Sequence, residues 1–351
     1  MKAARDSWVN PALALALCAV AGVLFARLRL PLPWMIGPLL VMAGLNFAGA
    51  RLRTAPGARQ VGQVIIGTAL GLYFTPAVTR EVVSYWPLLI GAALFAVVLA
   101  WACGWFVSTT TDTDRTTAFF ASVPGGAAEM AVLGERFGAR VDRVALAQSL
   151  RVLTVVIVVP FALTYGGAHG ADAYRPAPVP FDVPRLALLL GMAALAGGAL
   201  ELAGTPNAFM FGPLLAAIAL TANEVQLSSV PSVAANAGQL LLGCALGSRF
   251  ERQFLRGVAR YVVAVVASIA IAIGCAAVFG AALAWLVGLP TPSMVLATAP
   301  GGIAEMCITA QVLQLGVPLV TAAHVTRVLV LITTTAPIYR LARYMGARRG
   351  V

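Results

Sequence analysis

Long apolar runs, separated by short polar stretches, dominate the sequence. A helix needs about 20 consecutive apolar residues to cross the hydrocarbon core of a bilayer, with a range of roughly 17–25. The pattern predicts ten transmembrane helices, at residues 9–28, 33–49, 60–76, 84–107, 143–165, 185–203, 207–222, 231–248, 258–288 and 319–340. Two further apolar segments, 115–136 and 292–314, are interrupted by the motif Pro-Gly-Gly. The predicted fold class is an all-α polytopic membrane protein.

The apolar segments form two copies of one pattern. Short motifs of the first half recur in the second half, 175 or 176 residues later along the chain. Pro124, for example, corresponds to Pro300. The recurring motifs are Met35–Leu40 with Met210–Leu215, Gly62-Gln63 with Gly238-Gln239, Gly67–Gly71 with Gly243–Gly247, Pro124–Met130 with Pro300–Met306, and Gln148–Val152 with His324–Val328. Matches in one register indicate an internal duplication. The predicted organisation is a first membrane repeat at 1–165, a polar linker at 166–184 and a second membrane repeat at 185–351.

The composition supports a membrane location. Hydrophobic residues make up 60% of the chain and charged residues 11%, whereas soluble domains contain ~25% charged residues. The mean hydropathy is +0.90. This composition excludes a disordered chain and a soluble cytosolic enzyme, because neither could bury or solvate so much apolar surface.

The net charge of +11 comes from short basic clusters between apolar runs rather than from one basic face. If 115–136 and 292–314 each enter and leave on the same face, each half crosses five times and the second half is inverted. Most basic residues then lie in cytoplasmic loops, as the positive-inside rule requires, whereas full crossings by every segment give no bias. We therefore predict inverted repeats, cytoplasmic N- and C-termini, and no nucleic-acid partner.

The two Pro-Gly-Gly motifs are the strongest candidates for a functional site. Proline removes a backbone donor and glycine permits unusual dihedral angles, so each motif is expected to break or re-enter an apolar segment. Lipid cannot satisfy the freed groups, which must face protein, water or a ligand. The helix that restarts there presents N–H groups to an anion or to a nearby carboxylate; the alternative is a packing kink. The predicted residues are Pro124, Gly125, Gly126, Pro300, Gly301 and Gly302.

Ionisable residues lie at matching positions beyond these motifs. Glu129 and Glu305 come three residues after each second glycine, and an ionisable group within a membrane is a functional hypothesis. Each carboxyl group either couples transport to an ion or proton, or caps the restarted helix. Arg151 and Arg327 lie 22 residues beyond each Glu. Each guanidinium needs a carboxylate, carbonyl groups or a bound anion. It therefore either binds a substrate carboxylate or phosphate, or forms a structural ion pair with Glu.

Polar side chains complete the candidate set. Gln148 and His324 precede the arginines by three residues, on the same helical face. The exchange of Gln for His breaks the symmetry, so His324 either binds a proton or packs as a satisfied buried histidine. Gln63 and Gln239 are candidates to line a polar path, whereas the glycines around them are typical of close helix packing. The sequence contains no catalytic triad, nucleotide motif or metal-ligand cluster, so we predict no enzymatic activity, no cofactor and no metal.

The duplicated Pro-Gly-Gly-x-x-Glu-Met motif, the Gly-Pro-Leu-Leu block and the helix that carries Arg-Val resemble the AbrB family of membrane proteins, over nearly the whole chain. The resemblance implies a polytopic protein of the bacterial inner (plasma) membrane with an internal AbrB duplication. Members carry the labels of transcriptional regulator and ammonia monooxygenase. The chain has 2 histidines, too few for the copper or iron site of an oxygenase. The resemblance therefore supports fold and location more than activity.

These features predict a secondary transporter whose paired broken helices bind a small anionic solute together with a coupling ion or proton. The alternative is a membrane-embedded ligand sensor that regulates gene expression through a partner. A membrane oxygenase is a third hypothesis and would require bound metal. The expected partners are the small-molecule or ion substrate and the lipid bilayer, and the architecture is compatible with a homo-oligomer.

Overall fold

The computed structural model describes residues 2–50, 52–170, 174, 179–250 and 259–348. Every regular element within these residues is an α-helix, which confirms the predicted all-α class. The helices are α1 (Lys2–Arg27), α2 (Pro33–Phe47), α3 (Ala58–Gly71), α4 (Pro76–Ser84), α5 (Trp86–Thr110), α6 (Arg115–Ser122), α7 (Ala127–Glu135), α8 (Val141–Tyr165), α9 (Val183–Leu202), α10 (Ala208–Ala222), α11 (Ser232–Gly247), α12 (Ala259–Val287), α13 (Thr291–Thr298), α14 (Ile303–Leu313) and α15 (Val317–Arg348). Within the predicted linker 166–184, residues 171–173 and 175–178 lie outside the described ranges.

Within the part of the chain that the structure describes, six helices are long and apolar enough to cross a bilayer. Their apolar stretches have mean hydropathies from 1.6 to 2.7 and span Asn10–Arg27, Trp86–Thr110, Val141–Tyr165, Val183–Leu202, Ala259–Val287 and Val317–Pro337. Such a set of helices is typical of a multi-pass membrane protein.

Four of the ten predicted spans are shorter than a full crossing. α2 and α10 have 15 residues each, α11 has 16, and α3 has 14. A helix of 15 residues is only about 22 Å long, against a hydrocarbon core of about 30 Å. α3 is followed by α4 after a bend of 90°, and the two together could form one broken span. For the described residues, length and composition thus support six spans, or seven if α3 and α4 are one span, because the other predicted runs yield helices of only 14 to 16 residues.

The chain forms two compact units, and each takes segments from both predicted halves. The first unit comprises Met1–Val83, Val156–Val258 and Cys307–Pro318. The second unit comprises Ser84–Val155, Ala259–Met306 and Leu319–Val351. The spatial units therefore do not follow the boundaries of the predicted repeats, which remain a prediction about homology between the halves.

Short helices pack closely in the first unit, where glycines allow backbones to approach one another. α3 packs against α10 and α11, and α11 packs against α2. A Cβ atom at Gly62 would lie 2.9 Å from the carbonyl oxygen of Gly238, and one at Gly67 would lie 2.8 Å from that of Met210. A Cβ at Gly243 would likewise collide with the backbone of Met35. Close helix packing therefore accounts for these glycines.

The second unit is built around the apolar helices α5 and α12, which pack against each other. α6 packs on α5, and α13 packs on α12. Phe119 and Phe120 of α6 join Phe137 and Tyr339 in an aromatic cluster whose ring centroids are 5.1–5.6 Å apart. These contacts fix α6 and α13, the two short helices that lead into the Pro-Gly-Gly motifs.

Candidate functional site

Both Pro-Gly-Gly motifs belong to the second unit, and each lies between two short helices. α6 ends at Ser122 and α7 begins at Ala127. α13 ends at Thr298 and α14 begins at Ile303. Residues 123–126 and 299–302 are therefore not helical, and we call them the first and second breaks. Each break leaves backbone carbonyl groups that no helix turn can satisfy.

Helix α8 supplies the donors for the first break. The guanidinium of Arg151 donates from Nη1 to the carbonyl of Val123 at 3.0 Å and from Nη2 to that of Gly125 at 2.9 Å. The side-chain amide of Gln148 donates to the carbonyls of Phe120 at 2.9 Å and Val123 at 2.8 Å. Both side chains are buried. One turn of α8 thus holds the broken backbone in place.

Helix α15 supplies the donors for the second break in the same register. The guanidinium of Arg327 donates to the carbonyls of Ala299 and Gly301, which lie 28 and 26 residues earlier, as the acceptors of Arg151 do. His324 bonds through Nε2 to the carbonyl of Leu296 at 3.0 Å. Because a carbonyl only accepts, Nε2 carries the proton. The matching positions of the two halves therefore perform matching tasks.

Backbone carbonyls, and not a carboxylate, are the hydrogen-bond partners of Arg151. Among the described residues, no carboxylate lies within 4 Å of its guanidinium, in contrast to the exposed Arg140, which pairs with Asp142 at 3.3 Å. A structural Arg–Glu pair at Arg151 is therefore not found. Carbonyl dipoles do not neutralise a full positive charge, so the site retains an attraction for anions.

The two glutamates lie at the starts of the helices that follow the breaks. Oε2 of Glu129 accepts a hydrogen bond from the backbone N–H of Gly126 at 3.3 Å. Glu305 folds back in the same way, since a Cβ atom at Gly302 would collide with its carboxylate. This geometry is that of N-terminal capping. Coupling to an ion or proton, the other interpretation of these residues, stays a prediction.

A small cavity in the second unit lies where the two breaks and the two arginines come together. Its volume is about 40 Å³, enough for a few water-sized atoms. The breaks contribute Pro124 and Pro300, and the helices behind them contribute Arg151 and Arg327. The remaining lining residues are Ala96, Leu99, Ala100, Cys103, Val107, Ala121, Ser122, Ala147, Val265, Ser268, Ile269, Ala272 and Thr298.

The other predicted site residues occupy several places. Gln148 donates to the first break, His324 bonds to Leu296 of α13 before the second break, and neither lines the cavity. Gln63 and Gln239 are buried in the first unit, and no shared site with the arginines is described for them. Among the described residues, no cluster of three or more His, Cys, Asp or Glu side chains could hold a metal ion.

Sequence reasoning missed three hydroxyl groups of the cavity wall. Ser122 and Thr298 line the cavity just before the two breaks, and Ser268 lines it from α12. Ser122 and Thr298 are 176 residues apart, so the repeat register could have identified them. Ser268 carries no such signal, because its place in the wall depends on how α12 packs.

The fold and this site define a multi-pass helical membrane protein with a small cationic cavity. A family model described as "Transition state regulatory protein AbrB" matches residues 34–343. The chain therefore belongs to the AbrB family, as its motifs predict.

Two relatives resemble the chain over nearly its whole length. One is "Uncharacterized protein YhjN" of Bacillus subtilis (strain 168), which is 28% identical over 98% of this chain and 95% of that protein. Another is "Putative regulator AbrB" of Escherichia coli (strain K12), which is 24% identical over 93% of this chain and 94% of that protein.

Proposed function

We propose that the protein is a secondary transporter of a small anionic solute, coupled to an ion or proton and located in the bacterial inner membrane. The observation that carries the proposal is the cavity between the paired breaks, whose wall includes both Arg151 and Arg327. None of the described residues that line it is Asp or Glu. Two arginine side chains in the wall of one small cavity favour an anion over a neutral or cationic solute.

Non-helical backbone at paired positions is the second support. In secondary transporters, discontinuous helices from two repeats commonly form the solute site, and unsatisfied backbone is tolerated where it lines a cavity. We propose accordingly that the two halves are inverted repeats with both termini in the cytoplasm. The crosswise packing of the first unit agrees with such a pair, because Gly67 meets Met210 while Gly243 meets Met35, its counterpart.

The carboxyl groups of Glu129 and Glu305 are our candidates for coupling. Both are half-buried and sit at the helix starts beside the breaks. A carboxyl group that alternates between capping a helix and binding a proton or cation would link the charge of the solute to the geometry of the break. Glu→Gln replacements keep an acceptor oxygen for the cap and remove the charge, so they separate the two roles.

The test is uptake by proteoliposomes of a labelled panel of formate, propionate, nitrate, phosphate, sulfate and succinate under an inward proton gradient. We expect uptake of at least one anion that is abolished in Arg151→Gln and retained in Arg140→Gln, an exposed arginine that loses the same charge. Glu129→Gln and Glu305→Gln should lower gradient-driven uptake while thermal stability persists. If Glu129→Gln and Glu305→Gln both took up the anion at the wild-type rate, the two carboxylates would have no part in coupling. Equal uptake by the wild type and by Arg151→Gln would contradict the assignment of the cavity as the solute-binding site.

The alternative function is a membrane-embedded ligand sensor that acts on gene expression through a partner protein. One observation favours it, namely the regulator name of the Escherichia coli relative. The same cavity would then bind its ligand without moving it. Ligand binding in detergent, combined with an absence of flux in proteoliposomes that retain folded protein, would favour the sensor over the transporter.

A further inference from the structure

The cavity combines a cationic part with an apolar part. The cationic part comes from Arg151 and Arg327, with the hydroxyl-bearing Ser122 and Thr298 just before the breaks. The apolar part comes from the facing helices: α5 contributes Ala96, Leu99, Ala100 and Val107, and α12 contributes Val265, Ile269 and Ala272. A solute that fits both parts carries its charge on one end only.

The cationic part has unused capacity for an anion. Arg151 is only 7% exposed, and its Nε atom is buried without a hydrogen-bond partner among the described residues. Its charge is repelled by that of Arg327 and attracted by that of Glu305. An anion placed between the arginines relieves the repulsion and supplies an acceptor for the buried N–H. A carboxylate is suited to this place, because its two oxygens match the planar donor face of a guanidinium.

Size and polarity narrow the anion further. A volume of about 40 Å³ holds about three to four water molecules, and because covalently bonded atoms lie closer together than separate waters, it accepts about four or five linked heavy atoms. Succinate and citrate exceed this volume and carry a second charge that the apolar wall cannot satisfy. Phosphate and sulfate present oxygens in every direction, so some would face alanine and valine side chains without a donor. Resting on the proposed anion site, we infer that the solute is a short aliphatic monocarboxylate of the size of acetate or propionate.

The apolar wall then sets the accepted chain length. Ala272 of α12 is 8% exposed, and Val in its place would fill the part of the cavity that receives the alkyl group. Leu99 of α5 is half-buried, and Ala in its place would enlarge the same part. One methylene more or less in an apolar pocket changes relative affinity by roughly 10–200-fold. The two variants should therefore shift chain-length preference in opposite directions.

The test is equilibrium dialysis of the full-length protein in detergent with labelled propionate, which avoids passive permeation of weak acids through liposomes. Unlabelled acetate, propionate and butyrate compete, and phosphate, sulfate, nitrate, succinate and citrate serve as comparison anions. We expect acetate or propionate to bind at least about tenfold more tightly than the comparison anions. Arg151→Gln should abolish binding, and the matched charge control Arg140→Gln should retain it.

The wall variants keep the inference falsifiable even if Arg151→Gln does not fold. Ala272→Val should disfavour propionate relative to acetate, and Leu99→Ala should improve butyrate relative to acetate. If a comparison anion bound more tightly than acetate and propionate, and its binding required Arg151, the inference of a monocarboxylate solute would be wrong. The proposal of an anion transporter would still stand. Unchanged chain-length preference in both wall variants would also overturn it. If Arg151→Gln changed neither the binding of any anion in dialysis nor its uptake by proteoliposomes, the proposed function would be overturned as well.

Discussion

The two breaks are held in the same way by their arginines and in different ways by the neighbouring side chains. Arg151 and Arg327 each donate to the carbonyls 28 and 26 residues earlier. Gln148 donates to two carbonyls at 2.8–2.9 Å, whereas His324 contacts the carbonyl of Leu296 alone. The arginine is therefore the part of the arrangement that both breaks need, and the residue three positions earlier is exchangeable.

The difference places an imidazole near only one of the breaks. Oε1 of Gln148 and Nδ1 of His324 are both buried without a hydrogen-bond partner among the described residues. An amide oxygen does not accept a proton near neutral pH, but an imidazole nitrogen does. If the two breaks differ in function, His324 is the residue at which the difference should be found.

The largest effect is expected when either arginine is replaced by Gln. Each replacement removes one of the two cationic groups of the cavity and the guanidinium donor of two carbonyls of a break. Losing one partner of a buried charged contact costs about 2–5 kcal/mol, which corresponds to roughly 30- to 4000-fold in binding. Equilibrium dialysis with propionate measures the loss for Arg151→Gln and Arg327→Gln. Arg140→Gln is the control, and an effect confined to one arginine would contradict the equivalence of the breaks.

A smaller effect on stability separates Gln148 from His324. Gln148→Ala removes donors from two carbonyls and should lower the free energy of unfolding by about 2–3 kcal/mol. His324→Ala removes one such bond and should cost about 1–2 kcal/mol, with a further cost for the cavity it creates. Thermal unfolding in detergent, followed by tryptophan fluorescence, measures both. A larger loss for His324→Ala would show that the imidazole makes a contribution beyond its single contact.

The caps of α7 and α14 provide a third test. A Cβ atom at Gly126 would lie 2.6 Å from the carboxylate of Glu129, and one at Gly302 would collide still more closely with that of Glu305. Alanine at either position should displace the capping carboxylate and cost about 1 kcal/mol of stability. Gly302→Ala should have the larger effect. Combining each variant with the neighbouring Glu→Gln replacement shows whether the loss acts through the cap, since the losses should then not add.

The smallest effect is expected for His324→Gln, which gives the second break the residue found at the first. The new amide can donate to Leu296 as Gln148 donates to Phe120, since both acceptors lie 28 residues earlier. We expect stability within about 0.5 kcal/mol of the wild type and unchanged propionate affinity. A loss of proton-driven uptake with binding intact would assign a proton to His324 and end the interpretation of the two positions as exchangeable.

Part of the site could be predicted from residues that act locally. Proline and glycine alter the backbone within a few residues of their own position, so the places of both breaks follow from the motifs. The capping role of Glu129 is also local, because its carboxylate reaches back three residues to Gly126. It was one of two open alternatives in the sequence, since the same carboxylate could serve coupling.

The long-range partners could not be predicted in this way. The sequence predicted that Arg151 needs a carboxylate, carbonyl groups or an anion as its partner. In the folded structure, the carbonyls of Val123 and Gly125 are its hydrogen-bond partners. Gln63 and Gln239 matched the repeat as well as the arginines do, yet they belong to the first unit. The residue type determines which kind of partner a buried polar group needs. Which neighbour serves as that partner depends on how the helices pack.

The sequence alone determined the membrane class, the family, the duplicated motifs and the positions of both breaks. These properties depend on composition and on local backbone chemistry, which can be read from short stretches of the sequence without knowledge of the fold. The tertiary structure decided that segments of both halves share each compact unit, that four apolar runs contain short helices, and that both arginines line one cavity. Those outcomes depend on contacts between residues far apart in the chain, where packing and desolvation select among partners of equal chemistry.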